Sequence, residues 1–329
     1  MQKSKLKILI SYHKPSTLIK NDTFVPIHLG RALKDKESKD GQIDLYDYNW
    51  LLDNMIGDNT GDNISLKNRE YCELTGIYWA WKNYDKIGNP DYIGFMSYRR
   101  FLIFNEYEYD KYSQNCHEKA YREIFVNNID EEILNTYGVN YQYINDYIDK
   151  YDVILPLKSE LKLVNTNNAR EDYEKNIPGV NVKDYDAMVD VILRLYPEYK
   201  KYIFEQMNTS RRYFYQLFII KKDLFFDYCN FLFSVLKEME SIVDVSSYSI
   251  NGKRTLGYLG EALFDCYMRK ISDADNIKYK ELGVLRHINM KNNIKYRKFI
   301  LFGFENTFRY FAIYLFGMKI TFKKNKNIY

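Results

Sequence analysis

Three short apolar segments, separated by much longer segments of helical character, constrain the fold of this 329-residue chain more than any other feature. They are LKILISY at 6–12, DYIGFM at 91–96 and YDVILP at 151–156. Each is too short for a buried helix, is rich in Ile, Val, Tyr or Phe, and ends at polar residues or at proline, so we interpret each as a buried strand. Strands that alternate with helices predict an α/β fold with a mixed, mostly parallel sheet and helices on both faces.

The rest of the pattern supplies the elements around this sheet. It predicts helices at 26–36, 66–83, 129–149, 183–195, 198–208, 223–241 and 257–271, and further strands at 42–46 and 213–222. His28 in the first helix, and Tyr78, Trp79 and Trp81 in the second, have spacings typical of core residues. No repeat or low-complexity linker divides the chain, so we expect one domain over 1–288 and a tail over 289–329.

Charge is distributed unevenly between the body and the tail. The net charge is +4, but from Lys291 onward nine Lys and Arg residues face one acid, Glu305. The preceding 290 residues therefore carry 39 basic and 43 acidic groups, which argues against a nucleic-acid groove in the body. Four widely spaced cysteines without a CxxC pair favour reduced thiols in a cytosolic protein, and we expect no signal peptide.

The tail combines its basic residues with aromatic ones. Residues 297–320 read RKFILFGFENTFRYFAIYLFGMKI, in which Glu305 and Arg309 interrupt the apolar stretches. A clean bilayer span is therefore not expected. The composition predicts an amphipathic helix that lies on an anionic membrane surface through residues 291–326. An ordinary packed C-terminal helix is the alternative.

Candidate ligand-binding residues follow the predicted strands. In an open α/β sheet, ligands bind beyond the carboxyl ends of the strands, which here are followed by His13 and by Ser97-Tyr98-Arg99-Arg100. Two adjacent guanidinium groups match the oxygens of a diphosphate, so Arg99 and Arg100 form a candidate anion site. Alternatively, one arginine is solvated and the other pairs with a local acid.

The segment 57–65, GDNTGDNIS, is a second candidate. Its Asp58, Asn59, Asp62 and Asn63 could hydrogen-bond ribose or sugar hydroxyls, and its glycines permit unusual backbone angles. Helix capping and Asx turns account for the same composition equally well.

Glu261 is an acid inside an otherwise apolar helical segment, GYLGEALF. A buried carboxylate needs a partner or a chemical role. It either acts in catalysis or pairs with a basic neighbour such as Arg254 or Lys270. The sequence contains no GxGxxG, P-loop, HExxH or CxxC motif, so redox and zinc-hydrolytic chemistry have no support.

Several motifs, in order, resemble one known family. They are SYHKP, GDNISLKNREYCELTGIYWAWKN, YIGFMSYRRFL, YDVILP, FIIKKDLFFDYCNFLFSVLKEME and GYLGEALFDCYM. Over residues 6–285 the chain is similar to the bacterial capsular-polysaccharide biosynthesis family catalogued as domain of unknown function 4422, regarded as glycosyltransferases. The chain has Ser97 where the family has His, Gln216-Leu217-Phe218 in place of Asn-Met-Phe, and Ala262 after Glu261 in place of Arg.

The resemblance implies a GT-A-like domain that transfers a sugar, galactofuranose or another hexose, from a nucleotide donor to a lipid-linked glycan. We expect a UDP-sugar donor and a cytoplasmic protein on the inner face of the cell membrane, without nucleic acid. We expect Glu261 to be the base, and no obligatory cofactor, with Mn²⁺ or Mg²⁺ as an optional ion. The donor and diphosphate site is assigned to His13, Asp58, Asn59, Asp62, Asn63, Asn68, Ser97, Arg99 and Arg100. The alternative is a non-catalytic glycan- or nucleotide-binding protein, or a scaffold of a polysaccharide assembly complex.

Overall fold

A computed structural model describes residues 5–34, 36, 41–113 and 120–288, and in the C-terminal region 302–306, 310–315 and 318–323. Contacts between residues divide the chain into two compact units, Met1–His287 and Ile288–Tyr329. The first unit carries the sheet and helices described next, and the second is described separately.

The first unit is built on one large sheet. Its strands and those of a small accessory ribbon are β1 Leu6–Tyr12, β2 Phe24–His28, β3 Ile56–Gly57, β4 Tyr92–Ser97, β5 Arg100–Leu102, β6 Glu123–Val126, β7 Val153–Pro156, β8 Ser159–Glu160, β9 Arg211–Arg212, β10 Phe218–Lys221, β11 Tyr279–Leu282 and β12 Val284–His287. The main path of the sheet runs β11-β7-β10-β4-β1-β2-β3, and β5, β12 and β6 extend it from β4. Only β10 is antiparallel to its neighbours along the main path, so the carboxyl ends of β1, β2 and β4 lie at one edge.

Helices cover both faces of this sheet. They are α1 Leu45–Asn54, α2 Asn68–Tyr71, α3 Leu74–Lys82, α4 Glu106–Ser113, α5 Glu131–Thr136, α6 Tyr141–Ile148, α7 Ala169–Asn176, α8 Val182–Leu195, α9 Lys200–Asn208, α10 Lys222–Ile242 and α11 Thr255–Ser272. Successive residues of β1 enter different cores, because side chains alternate along a strand. Leu9 packs with α3, α8, α10 and α11, whereas Ile8 and Ile10 pack with α1 and α6. The predicted α/β architecture is confirmed.

Two predicted elements near the sheet edge are wrong. Of the residues predicted as a helix at 26–36, the first three belong to β2, which pairs with β1, and Arg31–Leu33 form only a single turn of 3-10 helix after Gly30 at φ 65°. His28 therefore ends a strand rather than lying in a helix. The strand predicted at 42–46 is the start of α1, because the Asp44 side chain accepts a hydrogen bond from the Asp47 amide at 2.7 Å.

Local breaks subdivide other predicted helices. The helix predicted at 66–83 is divided into α2 and α3 at Cys72, which has φ 53°. The helix predicted at 129–149 is divided into α5 and α6 around Gly138, at φ 70°. Trp79 is buried as predicted, whereas Tyr78 and Trp81 are partly buried against the same core.

The second unit corrects the prediction of a helical tail. Its described residues form a three-stranded antiparallel sheet of β13 Phe302–Asn306, β14 Tyr310–Leu315 and β15 Met318–Lys323. Aromatic and β-branched residues such as Phe311, Ile313 and Ile320 favour strands, and pairing across three strands satisfies their backbone groups. The short apolar runs of the tail therefore have the length of strands.

Candidate active site

A cleft of ≈ 850 Å³ opens at the edge of the sheet where β1, β2 and β4 end. Residues predicted from the sequence that line it are His13, Asn68, Ser97, Arg99, Arg100 and Glu261. Of the described residues lining the cleft, eight are Lys or Arg and four are Asp or Glu. The cleft is therefore basic although the body of the chain is mildly acidic, which suits an anionic ligand.

The end of β4 turns sharply into β5, since Ser97 and Arg100 are paired partners. Arg99 lies at the tip of this turn, with its guanidinium 5.6 Å from the centre of the Tyr98 ring. Within the described part of the chain, Arg99 has no carboxylate partner. The Ser97 hydroxyl, from the same turn, is buried without a hydrogen-bond partner there. His13 is exposed at the cleft and meets the Tyr98 ring edge-on at 5.4 Å.

Arg100 is held from two sides. Its Nε donates to Oε1 of the fully buried Glu123 at 3.2 Å, and its guanidinium lies 4.1 Å from the centre of the Tyr215 ring. Glu123 also accepts a hydrogen bond from Nη1 of Arg286 at 2.7 Å. The two adjacent arginines thus differ: Arg100 is fixed by a buried carboxylate, whereas Arg99 is available for a ligand.

Tyr215, which the sequence did not single out, is positioned by the segment before β10. Its backbone has φ 66°, a conformation that non-glycine residues rarely adopt and that is often found at functional sites. The buried Asp265 anchors the segment by accepting hydrogen bonds from the Tyr213 amide at 2.7 Å and from Arg269 Nε at 2.9 Å. Gln216 follows and donates to the Gly260 carbonyl at 3.0 Å. The departure from the family pattern at Gln216 therefore falls on a structural contact with α11.

Glu261, on α11, is an acid in the cleft with a strongly raised pKa. Burial, together with the charge of Glu73, raises the pKa of Glu261 to about 7, while Arg212, Arg100 and Arg254 oppose this shift. An acid with a pKa near 7 exchanges protons readily at neutral pH, as a general base must. The alternative of an ion pair with Lys270 has no support among the described contacts, and Arg254 acts on Glu261 only as a nearby charge.

The segment 57–65 has a structural role. Asp58 is fully buried and accepts hydrogen bonds from the amides of Gly30 and Arg31 at 2.7 and 3.1 Å. It also accepts from the hydroxyls of Ser65 at 2.5 Å and Thr75 at 2.7 Å. This carboxylate joins three segments and lies outside the cleft lining. Its assignment to the donor site stays a prediction.

The neighbours of Asp58 in this segment also lie outside the cleft lining. Asp62 accepts from the Tyr78 hydroxyl at 3.1 Å, and Asn63 accepts from the Ser65 amide at 3.2 Å in an Asx turn. Asn59 lies beside Gly57. These contacts are of the kind that the capping and turn alternative predicts, and the assignment of Asn59, Asp62 and Asn63 to the donor site stays a prediction. Asn68 does line the cleft, and its amide donates to the Cys72 carbonyl at 2.7 Å.

His28 lies at the inner wall of the cleft as a neutral acceptor. Burial, with the charges of Arg31 and His13, lowers the pKa of His28 to about 3. Its Nδ1 accepts a hydrogen bond from Arg31 Nε at 3.3 Å. His28 therefore contributes shape and a fixed contact, and no positive charge, at neutral pH.

The turn after β4 offers few of the ligands that a divalent metal ion prefers. Such ions prefer several carboxylate or carbonyl oxygens, whereas the turn after β4 presents two arginines. No three His, Cys, Asp or Glu side chains are grouped to hold a metal ion within the described ranges. In the same part of the chain, no helix is long and apolar enough to cross a membrane.

Comparison with known proteins supports the fold described above. The apo structure of the WbbM bifunctional glycosyltransferase matches 87% of this chain with a TM-score of 0.73 and 33% identity. The chain covers 46% of the length of that protein. No curated protein matches the sequence. The match confirms the predicted GT-A-like α/β domain. Residues 7–273 match the family described as domain of unknown function DUF4422, and the chain belongs to this family.

Proposed function

We propose that this protein is a glycosyltransferase that moves a sugar, galactofuranose or another hexose, from a nucleoside-diphosphate donor to a lipid-linked glycan in capsular or exopolysaccharide synthesis. One observation carries the proposal: Glu261, with its pKa raised to about 7, lies in a basic cleft at the carboxyl edge of the sheet. Family membership and the similarity to the WbbM bifunctional glycosyltransferase support it.

Donor binding is proposed to rest on the turn after β4. Arg99 and Arg100 neutralise the diphosphate, with Arg100 held by Glu123 and Tyr215 and Arg99 free to approach the ligand. Fixed positive charge at a leaving diphosphate stabilises the charge that develops in the transition state. His13, Ser97 and Asn68 line the same cleft and supply hydrogen-bonding groups, and UDP is the nucleotide we expect.

Transfer itself needs a base. The acceptor hydroxyl oxygen forms a bond to the anomeric carbon while the bond to the diphosphate breaks, and the diphosphate leaves with the electron pair. Glu261 takes the hydroxyl proton, for which its pKa of about 7 is suited. The cationic turn takes the place of a metal ion in this scheme, so divalent ions are not obligatory.

The second unit is proposed to bind an anionic membrane surface on which the lipid-linked acceptor is carried. The register of its sheet aligns Phe304, Ile313 and Ile320, and the Ile320 side chain is 46% exposed. Nine Lys and Arg residues against one acid in the tail would attract anionic headgroups. We expect the protein on the inner face of the cell membrane. Truncation after residue 290 should abolish binding to anionic vesicles and leave the fold of the first unit unchanged.

The function is tested with purified protein by combining nucleotide binding and turnover. UDP, GDP, CMP and dTDP are compared by thermal shift with and without Mn²⁺, and nucleotide release from nucleotide-sugars is measured in excess EDTA. We expect one diphosphate to stabilise the protein without metal, and Glu261→Gln to lose turnover but keep that binding. Binding without turnover by the wild type would instead support the non-catalytic alternative. Activity lost in EDTA and restored by Mn²⁺ would refute the metal-free scheme alone.

A further inference from the structure

The cleft contains a second carboxylate beside Glu261, which the sequence analysis did not identify. Glu73 lies in the turn between α2 and α3 and lines the cleft together with Glu261. The charge of Glu73 raises the pKa of Glu261, second only to burial among the causes. A second carboxylate close to Glu261 disfavours its ionised form, because like charges repel.

The segments that carry these two acids are in close contact. A Cβ atom on Gly257 would lie 2.9 Å from Sγ of Cys72, and one on Gly260 would lie 2.4 Å from Cδ1 of Leu74. The turn that contains Glu73 is therefore seated directly on the glycine face of α11. Glu73 lies between the two residues that make these contacts, and Glu261 directly follows Gly260 in the sequence.

The start of α11 also fixes the turn through a side chain. Cys72 adopts φ 53° and ψ −128°, and its Sγ accepts a hydrogen bond from Nε of Arg254 at 3.1 Å. Arg254 in turn donates to the Tyr258 hydroxyl at 3.1 Å. The turn thus has one defined position on α11, and the Glu73 backbone is held in place without help from its own side chain.

The groups around Glu261 come from several elements. Those whose charges act on it or on which it acts are Glu73 of the α2–α3 turn, Arg100 of β5, Arg212 of β9, Tyr228 of α10, and Arg254 and Tyr258 at the start of α11. The three arginines favour the ionised form of Glu261, and Glu73 is the acid that opposes them. Removing Glu73 would leave the cationic groups unopposed.

We propose that Glu73, held in the cleft by the turn seated on α11, is a positioning residue of the transfer reaction that supports Glu261 as the base for the attacking hydroxyl. This role rests on the proposed function. With the Glu73 side chain in place, Glu261 keeps enough proton affinity to act as a base at neutral pH. Without it, the surrounding arginines would make Glu261 a weak base.

The test compares Glu73→Gln with Glu73→Asp, which keeps the charge, and with Glu70→Gln as a matched control. Glu70 lies on α2, three residues earlier, and does not line the cleft. The acid limb of the pH–rate profile should move down by about one pH unit in Glu73→Gln, the size expected of one charge several ångströms away. It should stay in place in Glu73→Asp and Glu70→Gln.

A second readout needs no donor or acceptor. Protein labelled with ¹³C at glutamate carboxyls is titrated by NMR, and the Glu261 signal is assigned by its loss in Glu261→Gln. We expect the titration midpoint of Glu261 to fall in Glu73→Gln, and Glu73→Ala gives the same comparison should the first variant fold poorly. An unchanged midpoint overturns the role of Glu73 and leaves the transferase proposal intact. Absent turnover in the wild type overturns the proposed function, and with it this role, whatever the midpoint does.

Discussion

Replacement of Glu123 tests whether the cationic turn is held by one buried carboxylate. In the sheet, Arg286 of β12 is the paired partner of Arg100 of β5, so two guanidinium groups start from opposite positions. Like charges directly opposite each other on neighbouring strands are destabilising. Glu123, fully buried on the next strand β6, accepts from both, at 3.2 Å and 2.7 Å. The three groups form a compact cluster with one net positive charge.

The magnitude follows from the exposure of the partners. Removing one member of a buried ion pair costs about 3–5 kcal/mol, because the remaining charge is left without compensation. Here the arginine side chains are 17% and 30% exposed, so water recovers part of their solvation. We therefore expect Glu123→Gln, which keeps the shape and one acceptor oxygen, to lower the free energy of unfolding by about 2–3 kcal/mol.

Urea unfolding at pH 7 measures this change, with Glu238→Gln as the control. Glu238 also pairs with an arginine, Arg194, at 2.8 Å, but both side chains are about half exposed, at 44% and 57%. An exposed pair contributes less than about 1 kcal/mol. Equal losses in the two variants would refute the reasoning, since they would show that burial of Glu123 between the arginines adds nothing.

Three further predictions concern α11 and the segment 57–65. Gly260→Ala should lower the free energy of unfolding by about 1–3 kcal/mol, since its Cβ would lie 2.4 Å from Cδ1 of the buried Leu74. An unchanged midpoint of urea unfolding would contradict this, because it would show that the Leu74 side chain moves aside without cost. Glu261→Gln should make the protein more stable than the wild type above pH 7. The raised pKa of Glu261 means that folding disfavours its ionised form, so the gain should disappear as pH falls from about 7 towards 4.5; a gain independent of pH would contradict this. Asp58→Asn should lower the free energy of unfolding, measured in urea, by about 3 kcal/mol, because a buried acceptor of four hydrogen bonds loses its charge. Nucleotide binding, measured by calorimetry at a temperature where the variant is folded, should be unchanged.

The sequence predicted the sheet where local pattern and tertiary context agree. The three apolar runs at 6–12, 91–96 and 151–156 became central strands because each is buried on both faces and needs no distant information to be recognised. The helix predicted at 26–36 is wrong, since the strand conformation of its first residues depends on pairing with β1 and is not evident from those residues alone. The helix predicted for the tail is wrong for a related reason. Its aromatic runs fit an amphipathic helix as well as strands, and the pairing between strands decides between the two.

Within the candidate site, the residues that follow strands were predictable and their partners were not. The rule that ligands bind at the carboxyl edge located His13, Ser97, Arg99 and Arg100. Glu123 and Tyr215, which fix Arg100, come from segments with no recognisable motif. Their contribution depends on a buried contact between distant parts of the chain, which a single sequence does not reveal.

The segment 57–65 shows how a polar motif can serve the cleft without entering it. Its Asp58 carboxylate holds Thr75, in the first turn of α3, by a hydrogen bond of 2.7 Å. Thr75 also accepts from the Asn68 amide at 2.9 Å, and that same amide donates to the Cys72 carbonyl at 2.7 Å. Asp58 thereby anchors both ends of the turn that carries Glu73, opposite the glycine face of α11. The segment 57–65, which contains Gly-Asp-Asn twice, therefore supports the turn that holds Glu73 in the cleft with Glu261. We expect replacement of its polar residues to affect sugar transfer only by lowering the stability of the fold and by displacing Glu73.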